Sequence, residues 1–258
     1  MSIKIIGLTG RTKNWRIAGA GKTTVAVEIQ RLTGAMVYGL ADPIYNMIKA
    51  GFGIDGRSPE WQDRERKIAP IEWLSTGICR DVSLRYLLET LGTEWGREKV
   101  CRDLWTRIAE QFIKRQQPDR LIVIHDVRFN DEAEWLDSMG GVLIHIIRPD
   151  YESLDENQDH ASNQALLPRD GDYFLINTGS VDQLKKNAGN LINTIFTRTP
   201  SDLPVYDVCQ NCNRETPMFL ETRDGKEFGV YRCPMHGDVV PMRSAIVNPG
   251  ESIDCSQS

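Results

Sequence analysis

No apolar run in this 258-residue chain approaches the length of a membrane span, which excludes a transmembrane helix. A charged-then-apolar leader is missing too: the N-terminus runs straight into a short strand-like segment, so a cytoplasmic location is expected. Positive charge is not in excess. With 31 Lys and Arg against 36 Asp and Glu the net charge is -5, which gives no electrostatic reason for nucleic acid or an anionic membrane as main partner. Cysteine is scarce and unevenly spread. Of the six, Cys209, Cys212, Cys233 and Cys255 fall after residue 205, a clustering that in a reducing compartment points to metal rather than to an even disulfide framework. Cys79 and Cys101 read as plain buried thiols. Charged residues at 26% and hydrophobic ones at 40% are ordinary for a globular protein, and the length suits one core of about two hundred residues with a small satellite.

The chain is organised around Ile3 to Leu32. Ile3, Ile5, Ile6 and Leu8 form an apolar run of strand length, and Val25, Ile29 and Leu32 recur as on one helix face. Between them a glycine-rich loop ends in Gly21, Lys22, Thr23. A strand, such a loop and Gly-Lys-Thr opening a helix make a phosphate-binding loop, in which main-chain N-H groups and a helix N-terminus cradle phosphates, a lysine reaches the terminal ones and a threonine hydroxyl binds magnesium. The strict pattern lacks its first glycine, because Arg16 stands five residues before Gly21. Omitting Thr12 to Ile17 restores a full match beginning at Gly10. The six residues are therefore read as an insert at the mouth of an ordinary loop, since extra surface residues cost little. Lys13, Trp15 and Arg16 are placed to touch nucleotide, but the plainer expectation is a solvated bulge.

Ala35 to Gly39 reads as a second strand, followed by a helix carrying Pro43 in its first turn and Ile44, Met47 and Ile48. Asp42 stands either at a strand's ligand-binding end or as the cap of that helix, and both readings stay open. Asp63 to Lys67 is a solvated helix face. Leu84, Leu87, Leu88 and Leu91 form one stripe; a turn is expected at Gly92 to Arg97, then a helix through Val100, Leu104, Ile108 and Phe112. Leu121 to Ile124 is a continuous apolar run of the kind found in a covered parallel sheet. Asp126 at its tip, downstream of the phosphate loop, is the acid expected to organise magnesium. Asn130 caps the next helix, with Asp131 and Glu132 in its first turn. Val142 to Ile147 is a fourth strand, in which the lone His145 is expected to be packed or at an edge rather than a ligand. Tyr151 to Asp170 reads as a long loop or mobile cover. Tyr173 to Ile176 is a fifth strand, and Ser180 with Gln183 caps a helix bearing Val181, Leu184, Ala188, Leu191 and Ile195. These signals give a doubly wound α/β fold with a parallel five-stranded sheet over residues 1-198.

Residues 199-204 read as a linker, and residues 205-258 as a different kind of segment. Cys209-Gln-Asn-Cys212 and Cys233-Pro-Met-His236 stand at the ends of a hairpin that turns at Asp224-Gly225. Cys209, Cys212, Cys233 and His236 are the expected Zn2+ ligands of a zinc-ribbon-like module, with Cys255 as a rival to His236. From Ser201 onward five basic residues face nine acidic ones, which argues against nucleic acid.

Four segments in one order resemble a known family. They are G-L-T-G-R with G-A-G-K-T-T, L-L-E-T-L-G-T-E-W-G-R from Leu87 to Arg97 with D-L-W after it, H-D-V-R-F-N-D-E-A-E-W from His125 to Trp135, and H-A-S-N-Q from His160 to Gln164. Over roughly residues 1-198 the chain is similar to the deoxynucleoside monophosphate kinases of bacteriophages, within the P-loop kinase superfamily. The resemblance implies transfer of the γ-phosphoryl group of ATP to a deoxynucleoside 5'-monophosphate, in the host cytoplasm if the chain is phage-encoded. It implies that the loop residues Gly10, Gly19, Ala20, Gly21, Lys22, Thr23 and Thr24 hold ATP, with Thr23 and Asp126 on Mg2+. For the acceptor it implies Arg128 first, with Arg85 and Arg97 behind it, and Trp95 either flanking the base or buried in a core. Arg148 resembles the position from which kinase lids contact ATP. Two rival readings share these residues: another small-molecule P-loop kinase, such as a dephospho-coenzyme A kinase, and a nucleotide-switched adaptor that uses the zinc module. Dimerisation is left open.

Overall fold

The structure, a computed structural model, describes residues 5-61, 63-76, 81-116, 120-152, 161-197, 206-209, 216, 218-223, 226-233 and 235-244. Ile3, Cys79, His160, the linker at 199-204, Cys212, the turn expected at Asp224 and Gly225, and Cys255 lie outside them. Along the chain run β1 (Ile5–Thr12), α1 (Lys22–Thr33), β2 (Met36–Tyr38), α2 (Asp42–Phe52), α3 (Arg64–Ile68), α4 (Glu72–Ser75), α5 (Leu84–Glu89), a π-helical stretch (Thr90–Val100) and α6 (Leu104–Lys114). Then come β3 (Ile122–Ile124), α7 (Asn130–Ser138), β4 (Val142–Arg148), β5 (Tyr173–Ile176) and α8 (Val181–Thr197), followed by β6 (Tyr206–Cys209), β7 (Met218–Arg223), β8 (Lys226–Cys233), β9 (Gly237–Val239) and β10 (Pro241–Ser244). These fall into two compact units, one made of Met1–Val37 with Leu121–Ser258 and the other of Tyr38–Arg120.

Five strands form the expected sheet, in the order β2-β3-β1-β4-β5, with β1 parallel to both β3 and β4 and β4 parallel to β5. Strand β1 thus stands where the connections diverge to either side, the point at which open α/β sheets bind ligands beyond their strands' C-terminal ends. On one face Ile6 and Leu8 pack with Val25 and Ile29 of α1 and with Leu184, Leu191 and Ile195 of α8. On the other face a Cβ at Gly7 would come 2.4 Å from Leu136 and 3.1 Å from both Leu143 and Val127, so the missing side chain is what lets α7 settle onto β1. The buried stripe of α8 begins at Leu184; Val181, expected to share it, is exposed.

Two boundaries differ from the sequence reading here. Strand β1 extends through Gly10, Arg11 and Thr12, paired in register with Ile146, Ile147 and Arg148. Helix α7 begins at Asn130, so Phe129 rather than Asn130 is the residue preceding it. The Glu132 carboxylate accepts the N-H groups of Arg128 (2.8 Å) and Phe129 (3.1 Å), the reciprocal half of a capping box, and so fixes the chain entering the helix.

In the unit Tyr38–Arg120, Ser83 caps α5 by accepting the Tyr86 N-H at 3.1 Å. The turn expected at Gly92 to Arg97 is instead continuous π-helix, closed by a Cys101 N-H to Gly96 carbonyl bond of 3.0 Å. Trp105 explains why. Its indole N-H donates to the Gly92 carbonyl at 2.7 Å, and its ring lies where a Cβ on Gly96 would come within 2.3 Å. The following helix starts at Leu104, leaving Val100 exposed. Ile44 and Ile48 of α2 are buried, whereas Met47 is exposed. Cys101 is half-buried and donates to Asp103 Oδ1 at 2.6 Å, so it is not the plain buried thiol expected.

Beyond α8 the chain forms two small antiparallel sheets, β6-β10 and β7-β8-β9. The β7-β8 register closes on Arg223 opposite Lys226, flanking the expected turn.

Candidate active site

The phosphate loop is built from glycines whose positions demand them. Gly19 (φ 84°) and Gly21 (φ 107°) hold the left-handed backbone that lets the loop curl into α1. Gly10 lies in β1 rather than in the loop. A Cβ there would meet the Ile17 carbonyl at 2.6 Å, Ala20 at 2.9 Å and Lys22 Nζ at 3.2 Å, so the bare strand is the floor on which the loop rests. The Asn177 side-chain amide donates to the Ala20 carbonyl at 2.9 Å and pins the loop from the end of β5. At the mouth of α1, Gly21 supplies no capping side chain and the first turn holds no acid. The positive end of the helix is therefore left for an anion, with Lys22 beside it and Thr23 exposed next to it; Thr24 is half-buried. This donor set fits nucleotide phosphates, and a threonine hydroxyl with an aspartate fits Mg2+.

The insert is not the solvated bulge expected of it. Lys13 and Asn14 are exposed, but Ile17 is buried and its carbonyl accepts from Lys22 Nζ at 2.6 Å. Thr12 closes the turn, its N-H donating to the Arg16 carbonyl at 2.9 Å and its Oγ1 accepting from the Arg16 N-H at 3.1 Å. Trp15 takes a positive φ of 57° there, and the buried Arg11 guanidinium stacks 4.6 Å from its ring. Three backbone contacts join the insert to a distant segment: Arg16 bridges Gln164, the Ile17 N-H donates to the Asn163 carbonyl (3.3 Å), and the Ala165 N-H donates to the Trp15 carbonyl (3.0 Å).

Asp126 is buried just past β3. The next residue, Val127, donates its N-H to the Leu8 carbonyl at 3.1 Å and so keeps Asp126 beside the strand that leads into the loop. Arg128 is half-buried, its guanidinium donating to the Ser162 carbonyl at 3.4 Å. Arg148 ends β4, donates to the Gly19 carbonyl at 3.1 Å and stacks 4.5 Å from the ring of Tyr151. That ring lies against Gly19, where a Cβ would come within 2.2 Å of it. The insert holds this stretch as well: the Lys13 N-H donates to the Tyr151 carbonyl at 2.9 Å, and the Lys13 ammonium pairs with Glu152 at 2.7 Å. Tyr151, Ile17, Ser162 and Asn177 were not singled out from sequence as parts of the site. Only the H-A-S-N-Q segment carried a signal, and that came from resemblance.

The remaining expected substrate residues belong to the unit Tyr38–Arg120. Asp42 is the first residue of α2, not its cap, and its carboxylate pairs with Arg57, which also stacks over Tyr45. Arg85 donates to Glu89 at 2.9 Å within α5, the ordinary helix pairing. Arg97 is half-buried on the π-helical stretch, and Trp95, 41% exposed, is not a core residue.

His145 is buried and packed as expected, its ring stacked 5.4 Å from that of Phe174, and it also joins a polar network. Its Nε2 lies 2.8 Å from Asp172 Oδ2; Asp172 is paired in turn with Arg169, and Arg169 with Asp137 of α7. Burial holds the imidazole below its ordinary pKa, outweighing the pull of Asp172, and the Arg11 and Arg169 charges act in the same direction as burial. In the segment beyond α8, Cys209, Cys233 and His236 converge.

A sequence profile described as deoxynucleotide monophosphate kinase matches residues 60–188. The match takes in the Leu87 to Arg97, His125 to Trp135 and His160 to Gln164 segments but not the phosphate loop, whose assignment rests on its geometry. The chain is 27% identical over 115 residues to a deoxynucleotide monophosphate kinase of Enterobacteria phage T4, covering 44% of this chain and 46% of that protein. To a deoxynucleoside-5'-monophosphate kinase of Escherichia phage T5 it is 33% identical over 101 residues, 37% of this chain and 40% of that one. A putative deoxynucleotide monophosphate kinase of Acanthamoeba polyphaga mimivirus is 24% identical over 189 residues, 69% of this chain and 91% of that one. The matched stretch thus spans less than half the length of both phage relatives. Among the described residues no helix is long and apolar enough to cross a membrane.

Proposed function

The chain belongs to the deoxynucleotide monophosphate kinase family, and from that premise we propose that it transfers the γ-phosphoryl group of ATP to the phosphate of a deoxynucleoside 5'-monophosphate. The observation that carries the reading is Lys22 at the uncapped mouth of α1, its ammonium folded onto the loop above Gly10. In the reaction the bond from the γ-phosphorus to the β-γ bridging oxygen breaks and a bond to an acceptor phosphate oxygen forms, giving ADP and a deoxynucleoside diphosphate. The acceptor oxygen is already anionic at neutral pH, so the protein's task is alignment and charge neutralisation rather than proton removal.

Each residue's part follows from its place. The loop N-H groups and Lys22 hold the β- and γ-phosphates, and Lys22 exchanges the Ile17 carbonyl for a phosphate oxygen when nucleotide enters. Thr23 and Asp126 would hold Mg2+, which would supply charge neutralisation on the phosphates. Arg128 takes the acceptor phosphate: its main chain is fixed by Glu132, and its guanidinium donates to the Ser162 carbonyl over a long 3.4 Å. Arg148 lies on the donor side, against the loop at Gly19. Asp42, Arg85, Arg97 and Trp95 serve the acceptor, and Arg57 joins them through its pair with Asp42. Zn2+ has no part in this transfer; its place is the C-terminal module. We assign the work of the enzyme to the cytoplasm.

The test is a coupled assay of ADP release across the deoxy- and ribonucleoside monophosphates and dephospho-coenzyme A, with ATP and Mg2+. Turnover on a deoxynucleoside monophosphate is expected. Turnover on dephospho-coenzyme A alone would replace the acceptor assignment, and none on any acceptor would move the nucleotide-switched adaptor ahead.

A further inference from the structure

Few of the described side chains in the C-terminal segment are both apolar and buried. Among its described side chains the buried ones are Cys209, Thr216 and Cys233, while Met218, Met235 and Val240 are exposed. Its strands form two separate sheets, and segments this small need a cross-link in place of a core. The two buried sulfurs occupy the positions where such a link would be made. Cys209 is the last residue of β6, Cys233 is the last of β8, and His236 lies in the turn from β8 to β9.

The three donors face a common point. His236 Nδ1 lies 3.5 Å from Cys209 Sγ and 3.5 Å from Cys233 Sγ, and the three donor atoms all fall within 4.8 Å of one another. Zinc bonds of about 2.3 Å to sulfur and about 2.0 Å to nitrogen give a tetrahedron whose sulfur-nitrogen edges are about 3.5 Å. The Met235 N-H donates to Cys233 Sγ at 3.4 Å, so this sulfur is an acceptor, the role that suits a thiolate. A disulfide between the two cysteines would account for the sulfurs but not for an imidazole nitrogen facing both. Two sulfurs and an imidazole form a soft donor set that selects zinc over magnesium or calcium.

We propose that Cys209, Cys233 and His236 bind a structural Zn2+ ion that fastens the β6-β10 pair to the β7-β8-β9 sheet. The site is independent of phosphoryl transfer, so either reading can fail without the other.

The full-length chain, purified without chelator, should carry one zinc per chain by elemental analysis and release it when a mercurial reagent titrates the thiols. Exchange with Co2+ should give the sulfur-to-metal charge-transfer and strong visible bands of tetrahedral thiolate coordination. Cys209→Ser, Cys233→Ser and His236→Ala should each lose the ion, and Cys255→Ser should keep it. ADP release in the same samples reports on the sheet that carries the phosphate loop. A metal-free wild-type chain, a Cys209-Cys233 disulfide found by peptide mapping, or zinc retained in Cys233→Ser would each overturn the proposal. The wild-type measurements stand even if a variant fails to fold.

Discussion

Lys22 Nζ, the cation proposed for the transferring phosphate, donates at 2.6 Å to the main-chain carbonyl of Ile17, the last residue of the insert. Lys22→Ala should lower kcat by about 10²- to 10³-fold, the usual loss on removing one donor to developing negative charge. Binding of an ATP analogue, followed by calorimetry, should fall far less.

Ile17→Ala keeps that carbonyl and removes a buried side chain. A loss of about 2–5 kcal/mol in unfolding free energy is expected by urea denaturation, with little change in turnover of the folded fraction. A solvated bulge would show no such loss.

Arg128→Ala should raise KM for the acceptor about ten- to hundredfold, as for a lost charge-assisted hydrogen bond. KM for ATP should stay near its original value in initial-rate kinetics with each substrate varied in turn. Arg128→Lys should not restore the acceptor KM, because a single ammonium lacks the planar fork. A rise confined to ATP would place Arg128 on the donor side.

Asp126→Asn preserves shape and removes one charge beside the loop. Its defect should shrink as Mg2+ is raised and should change when Mn2+ replaces Mg2+. A metal-independent loss would remove Asp126 from the metal's coordination.

Because burial holds His145 below its ordinary pKa, the native chain keeps it neutral where the unfolded chain takes up a proton. Its contribution to stability is complete above the unfolded value of about 6.5 and declines as pH falls from there toward the lower native value. Urea midpoints measured from neutral to mildly acidic pH should fall with pH in the wild type, and less steeply in His145→Gln.

The sheet was legible because its strands are short apolar runs: Ile122 to Ile124 and Tyr173 to Ile176 have no other reading at that length. The phosphate loop was legible despite its broken spacing, since Gly-Lys-Thr sits between a strand pattern and a helix pattern. What escaped depends on partners far away in sequence. Gly92 to Arg97 carries turn residues, and only the Trp105 ring shows that Gly96 serves close packing within a helix. His145 of β4 meets Asp172, the residue just before β5, a pairing that no local periodicity encodes. Arg128 and Asp126 were found by position at a strand tip, while Ser162, the residue that Arg128 touches, had no chemical signal of its own.

The bridge between Arg16 and Gln164, with the flanking bonds from Ile17 to Asn163 and from Ala165 to Trp15, makes two loops into one heritable unit. A relative that lacks the six insert residues must find other partners for those main-chain groups at 163 and 165, or have a differently shaped segment there. Length at the first loop and sequence at the second should therefore change together in descent, and a chimera that exchanges only one of them inherits unmatched main chain beside its phosphate loop.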